Sequence, residues 1–199
     1  MPYITTFLRS QLFVTLPYPE SDFTNQVIIV TGSNTGLGLE AARHFLRLNA
    51  TKVILAVRTS SKGESAAADL IASTKRTKSS IEVWPLDLCS YESVKAFGAR
   101  VGAMDRLDVL VQNAGTWETQ WHMDEGEERT ITVNVISATL LCLLVLPKLR
   151  DSAGKHGSRG RFSFCGSDTH YMAKFNEGKS QGSLFEALRS DKSASMTNR

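Results

Sequence analysis

Short apolar runs alternate with longer amphipathic stretches from Val27 to Cys165. Val27–Val30, Lys52–Val57, Ile81–Trp84, Leu107–Val111 and Gly160–Cys165 are compact blocks of branched and aromatic residues, and each reads as a strand. Between them, about Leu37–Leu48, Lys62–Thr74, Ser90–Val101 and Asp124–Leu146 have helical spacing. Strand-like and helix-like segments that take turns predict an α/β fold, a doubly wound parallel sheet of Rossmann-like type. Ser90 fits a helix cap, although Ser93 stands where a full capping box would want Glu or Gln. The stretch Val133–Leu146 is apolar nearly all round, which predicts a deeply buried helix closed by Pro147 and Gly154. Asn134, Ser137 and Thr139 interrupt it, and it is too short to span a bilayer.

Beyond Gly166 the chain turns rich in Ser, Lys and Gly, with a helical pattern only around Leu184–Leu188. No sixth strand is visible, so the sheet is expected to hold about five strands and to be incomplete on its C-terminal side. Residues 1–26 read as an extension and linker, and 27–199 as the domain. The apolar patches of the extension (Ile4, Phe7-Leu8, Leu12–Val14) are broken by Arg9, Ser10 and Gln11, too short for a secretory core. A short helix packed on the domain is expected there, with a weak membrane-surface contact as the alternative.

Composition narrows the class. A net charge of +3, scattered along the chain, gives no basic patch and argues against nucleic acid. Cys89, Cys142 and Cys165 are odd in number and far apart, so they read as reduced thiols of a cytoplasmic protein, with no metal site.

The first strand runs directly into Thr31-Gly32-Ser33-Asn34-Thr35-Gly36-Leu37-Gly38 and then a helix. Glycines let the backbone turn tightly and approach a pyrophosphate, while the helix start offers free N–H groups and a positive dipole end. Glycines that only ease packing are the plain alternative. The spacing Thr-Gly-x-x-x-Gly-x-Gly departs from the usual G-x-G-x-x-G. It resembles the short-chain dehydrogenase/reductase family.

Further residues carry that resemblance in order. Arg58, at the end of the second strand, stands where an acidic residue would select NAD; an arginine there implies the 2′-phosphate of NADP. Lys62 would add a second charge, or be an ordinary solvated helix start. Asp87-Leu88 is similar to the family's adenine-contacting turn, or is a cap. Asn113-Ala114-Gly115 matches the family's Asn-Ala-Gly, with Gln112 as a mild departure. Asn134 matches an asparagine that holds a water in the family's proton relay, or is purely structural. Ser167, in Gly166-Ser167-Asp168-Thr169-His170, matches the serine that bonds a substrate carbonyl or hydroxyl, and that variant resembles fungal secondary-metabolite members, retinol-dehydrogenase-like in type. His170 reads as a loop residue.

The resemblance implies an oxidoreductase that uses NADP on a small-molecule carbonyl or alcohol substrate. Residues Gly32–Gly38, Arg58, Lys62, Asp87, Leu88 and Asn113–Gly115 would hold the cofactor, with Asn134 and Ser167 as catalytic remainder. It leaves a homodimer open. The family's reaction also needs Tyr-x-x-x-Lys after the serine. Tyr91 with Lys95 has the spacing but precedes Ser167 and reads as a chance pair on a solvated helix, and Tyr171 with Lys174 has the wrong spacing and reads as a loop. The segment Leu188–Arg199 resembles what immediately precedes that motif, so the chain is expected to be truncated there, leaving the last strand as an apolar open edge. An inactive NADP-binding remnant is therefore the rival reading, and a two-chain enzyme the weaker third.

Overall fold

A computed structural model describes residues 2–167, 170 and 174–190. Asp168, Tyr171 and the segment 191–199, about which the sequence raised expectations, lie outside the described residues. The elements are α1 (Pro2–Phe13), β1 (Val27–Thr31), α2 (Gly36–Arg47), β2 (Lys52–Val57), α3 (Ser60–Thr74), β3 (Ile81–Pro85), α4 (Tyr91–Gly102), β4 (Val109–Gln112), the paired two-residue strands β5 (Met123–Asp124) and β6 (Glu127–Glu128), α5 (Arg129–Ile131), α6 (Ala138–His156), β7 (Arg161–Phe164) and α7 (Leu184–Leu188). A π-helical turn, Thr132–Ser137, joins α5 to α6.

The sheet is all parallel, in the order β3-β2-β1-β4-β7, as the alternating pattern predicts. Side chains that alternate across each strand feed two separate cores. Ile28, Val30, Val53 and Leu55 pack with Ala42, Leu46, Ala66 and Leu70 of α2 and α3 on one face. Ile29, Ile54 and Leu110 pack with Val94, Phe97, Leu141 and Val145 of α4 and α6 on the other. Full burial on both faces is why β1 and β2 read as unbroken apolar runs.

Five expectations need correction. The fourth strand starts at Val109, because the Leu107 amide donates to Ser152 Oγ at 2.9 Å and is held by α6 rather than by the ladder. Asp124 does not open a helix. It belongs to a tight hairpin turning through Glu125 (φ 53°) and Gly126 (φ 80°), both left-handed, and the helix begins at Arg129. Pro147 and Gly154 do not close it. The helix continues to His156 and ends at Gly157 in the left-handed conformation. Pro147 removes the hydrogen bond to the Leu143 carbonyl on the outer side of the helix, where Leu143 is 63% exposed. The helix is half-buried rather than deeply buried, with Val135 and Leu143 facing out. By length and composition Arg129–His156 would suffice to cross a membrane; here its buried side packs on α4 and the sheet as a core helix does.

The last correction concerns α1, whose side chains from Thr5 onward are exposed, Phe13 at 80%. Phe7, Leu8 and Leu12 fall on one side of it at helical spacing, yet all three are exposed, so that face is not covered by the domain. Docking begins later, where Tyr18 meets His44 and the Arg47 guanidinium, and Phe23 meets Phe45 edge-on.

Candidate functional site

The order of the strands reverses at β1 and β4, and a cleft of about 260 Å³ opens at their carboxyl ends, where doubly wound sheets bind ligands. The two strand ends are welded there. Thr31 is fully buried; its Oγ1 donates to Gln112 Oε1 at 3.0 Å and accepts from the amides of Asn113 (3.0 Å) and Ala114 (2.9 Å). Asn113 Nδ2 reaches back to the Thr31 carbonyl at 3.0 Å. Gln112 also donates to the Ala114 carbonyl, so the departure at this position supports the turn from within.

Two glycines show why the loop has its composition. Gly32 takes φ +63°, and a Cβ there would press on Ala114 at 3.0 Å. At Gly38 a Cβ would sit 2.5 Å from both the Gly32 carbonyl and Asn113 Nδ2, so helix α2 approaches the strand closely only because no side chain intervenes. Thr35 precedes the helix without a side-chain cap. Helix geometry gives the first-turn N–H groups no intrahelical acceptor, so they are available to an anion. Above Gly36 (φ +59°) the space is open. This cradle fits a pyrophosphate.

The cleft gathers half of the residues singled out from the sequence. Gly32, Asn34, Arg58, Lys62, Asp87, Leu88, Ala114 and Gly115 all line it. Others sit elsewhere. Ser33 is buried with its hydroxyl donating to the Val30 carbonyl, Gly38 and Asn113 are structural supports, and Leu37 is 82% exposed at the helix start. Thr35 and Gly36 are exposed in the loop before α2 and at its first residue. Ser167 is exposed at the end of β7, and its carbonyl accepts from the His170 amide.

Asn134 is exposed rather than buried, which corrects the reading of it as an amide sunk in an apolar helix. Both ends of its amide are used: Oδ1 accepts from the Thr116 amide at 2.9 Å and Nδ2 donates to the Thr116 carbonyl at 2.8 Å. It thereby fixes the loop that walls the cleft beside Gly115.

Thr59, Cys89, Thr116, Glu118, Arg129 and Val133 also line the cleft, and sequence reasoning missed them. Arg129 bonds Asp124 at 2.6 Å and pairs with Glu118 at 3.8 Å. That guanidinium holds the Asp124 carboxyl below the usual range. Burial, and then the charge of Asp87, push the Cys89 thiol up to about 11, so it is protonated and unreactive at neutral pH. Tyr91 is raised too, chiefly by burial. Neither it nor any other tyrosine lines the cleft among the described residues.

The family model for short chain dehydrogenases matches residues 26–168. The chain is 45% identical over 199 residues to the short chain dehydrogenase atnD of Emericella nidulans, covering 99% of this chain and 62% of that protein. It is 43% identical over 187 residues to the short chain dehydrogenase/reductase dmxR8 of a Cryptosporiopsis species, covering 94% of this chain and 58% of that one. The chain thus spans about three fifths of the length of these relatives. Among solved structures, RhlG of Pseudomonas aeruginosa in an active-site complex with NADP superposes with a TM-score of 0.62 at 25% identity, over 87% of this chain and 64% of that one. The oxidoreductase yciK of E. coli gives 0.62 at 25% identity, over 88% of this chain and 68% of its own. With the glycine cradle, the switch-point cleft and these matches together, the chain belongs to the short-chain dehydrogenase family of oxidoreductases.

Proposed function

We propose that this chain binds NADP(H) and forms the cofactor-binding part of an oxidoreductase that moves a hydride between the nicotinamide and a carbonyl or alcohol, in a fungal secondary-metabolite pathway. One observation carries the reading: Arg58 and Lys62 line the same cleft as Gly32 and Asn34, with no acidic residue at the end of β2. The pyrophosphate would rest on the start of α2. Arg58 and Lys62 would hold the ribose 2′-phosphate, and Asp87-Leu88, beyond β3, the adenine. The other half of the cofactor would then lie over β4 against Ala114, Gly115 and Thr116, with Asn134 fixing that wall. When bound, the cofactor supplies the hydride. The chain's own residues orient it and exclude water beside Val133.

Titrating the purified chain with NADPH and NADH, read by nicotinamide fluorescence, tests this. NADPH should saturate more tightly. Arg58→Ala should weaken NADPH by about 1.5–3 kcal/mol, the scale of a charged hydrogen bond, and leave NADH nearly unchanged. No saturable binding of either, or an unchanged preference in the variant, would overturn the reading.

A second reading, nucleotide binding without turnover, is favoured by the absence of a tyrosine among the described lining residues. NADPH oxidation above background against a panel of ketones decides for the first reading, and its absence with intact binding decides for the second.

A further inference from the structure

The helix that carries Asn134 is held at both ends of an irregular turn. Glu128 is fully buried. Its Oε1 accepts from the Thr130 amide at 2.9 Å and the Thr130 hydroxyl at 3.0 Å, and Oε2 accepts from the Ile131 amide at 3.3 Å. The Arg129 amide, the next donor of that first turn, goes to the His122 carbonyl at 2.9 Å, and Thr132 Oγ1 bonds the Asp124 carbonyl at 2.9 Å. The hairpin β5–β6 is therefore a rigid base for the helix start. At the far end Ser137, also fully buried, donates its hydroxyl to the Leu88 carbonyl at 2.7 Å. Between these anchors lies the π turn Thr132–Ser137, with Asn134 inside it.

A π turn holds one more residue than an α turn and is rare, occurring mostly as a single-turn bulge inside an α-helix. Were it to relax to α geometry, the register would slip by one residue across the turn, a rotation that builds up along it to about 100° at its far end. The direction of Asn134 is thus set by the anchors as well as by its own rotamer. We infer that Glu128 is a positioning residue: by capping the helix it keeps the π turn in register and so holds the Asn134–Thr116 clasp on the cleft wall. A buried carboxyl that only stabilised the fold would not act on Thr116 selectively. This one is joined to it through a turn that has an alternative geometry.

Amide hydrogen exchange followed by NMR tests this in the full chain without any ligand. The Thr116 amide bonds Asn134 Oδ1, whereas the neighbouring Ala114 amide bonds Thr31 Oγ1 and serves as an internal reference. Loss of a cap is worth about a factor of five, so Glu128→Ala should speed Thr116 exchange about fivefold or more and leave Ala114 unchanged. Glu128→Gln keeps one carbonyl oxygen for both Thr130 donors and should restore most of the protection. Unchanged Thr116 exchange, an equal rise at Ala114, or no rescue by Gln overturns the inference. Should Glu128→Ala fail to fold, Ser137→Ala removes the opposite anchor and must show the same selective loss at Thr116; wild-type protection there overturns it equally. A second readout rests on the proposed function. Glu128→Ala should weaken NADPH more than 2′,5′-ADP, which occupies only the adenine side. A wild-type chain that bound neither would sink the cofactor reading while the exchange result still judged Glu128.

Discussion

The two flanks of the sheet differ sharply. On the β3-β2-β1 side, strands are sealed by helices on both faces, and Ile28, Ile29, Val53, Ile54 and Leu55 have no exposed surface. On the β7 side, Phe162 packs inward, but Arg161, Ser163 and Phe164 are exposed, the last at 54%. The first flank is built to hold a loop motionless, and the glycine cradle and Arg58 stand on it. The second ends in a strand that, like β3 at the other end of the sheet, has no outer strand partner among the described residues, and here the side chains around that edge are exposed as well, which favours association. Rigidity in this molecule is concentrated where a nucleotide would be gripped, not where Ser167 stands.

Asp108 is the tie between the flanks. It is 1% exposed; its carboxyl accepts from the Val27 amide at 2.9 Å, from Arg106 at 2.7 Å and from Ser158 at 3.0 Å, joining the start of β1 to the approach of β7. Removing it leaves the Val27 amide without its acceptor and should cost about 1–3 kcal/mol, so Asp108→Ala should melt well below wild type by circular dichroism. Burial opposes ionising Asp108, yet those donors outweigh it and hold its carboxyl below the usual carboxylate range. A depressed folded value means its contribution is fully present above the unfolded value and is lost as pH falls through the folded one. Denaturant midpoints should therefore be steady from neutrality down to about pH 5 and drop below about pH 4, a drop that a stably folded Asp108→Asn should show to a smaller extent, the remainder coming from other lowered carboxyls such as Asp124 and Glu82.

Gly38→Ala sharpens the comparison on the rigid flank. Its methyl would sit 2.5 Å from the Gly32 carbonyl, so α2 must move away from β1. Overpacking of this kind costs about 1–3 kcal/mol, and NADPH titration should show weakened binding even where the variant stays folded. The opposite flank should hardly respond. Phe164→Ser should change stability by no more than about 0.5 kcal/mol while reducing concentration-dependent light scattering, because the residue contributes to an exposed edge more than to the core. A large loss of stability there would show that β7 is part of the rigid body after all.

Strand and helix order, the parallel sheet and the phosphate loop were all legible from the residues, since each rests on local periodicity or on glycines at fixed offsets. Legible too was the grouping of Arg58, Lys62, Asp87 and Gly115, because strand ends in this topology converge at one edge of the sheet. Arg129 and Glu118 escaped notice, because they come together only when the β5–β6 hairpin folds. That hairpin was masked by the Asp124–Leu146 stretch, whose helical pattern hid the left-handed pair Glu125 and Gly126. Pro147 misled in the opposite sense. A proline ends a helix by local rule, but one missing hydrogen bond is tolerated on the outer side of a long helix.

What the sequence settles unaided is the alternation that dictates a doubly wound sheet and the chemistry placed at its strand ends, since both follow from spacing along one chain. Tertiary structure alone decides that Asn134 is exposed and clasps Thr116, that Ser33 turns inward, and that Glu128 anchors a π turn. Those outcomes depend on which donors and acceptors from distant segments meet, and no periodicity in the residues encodes such meetings.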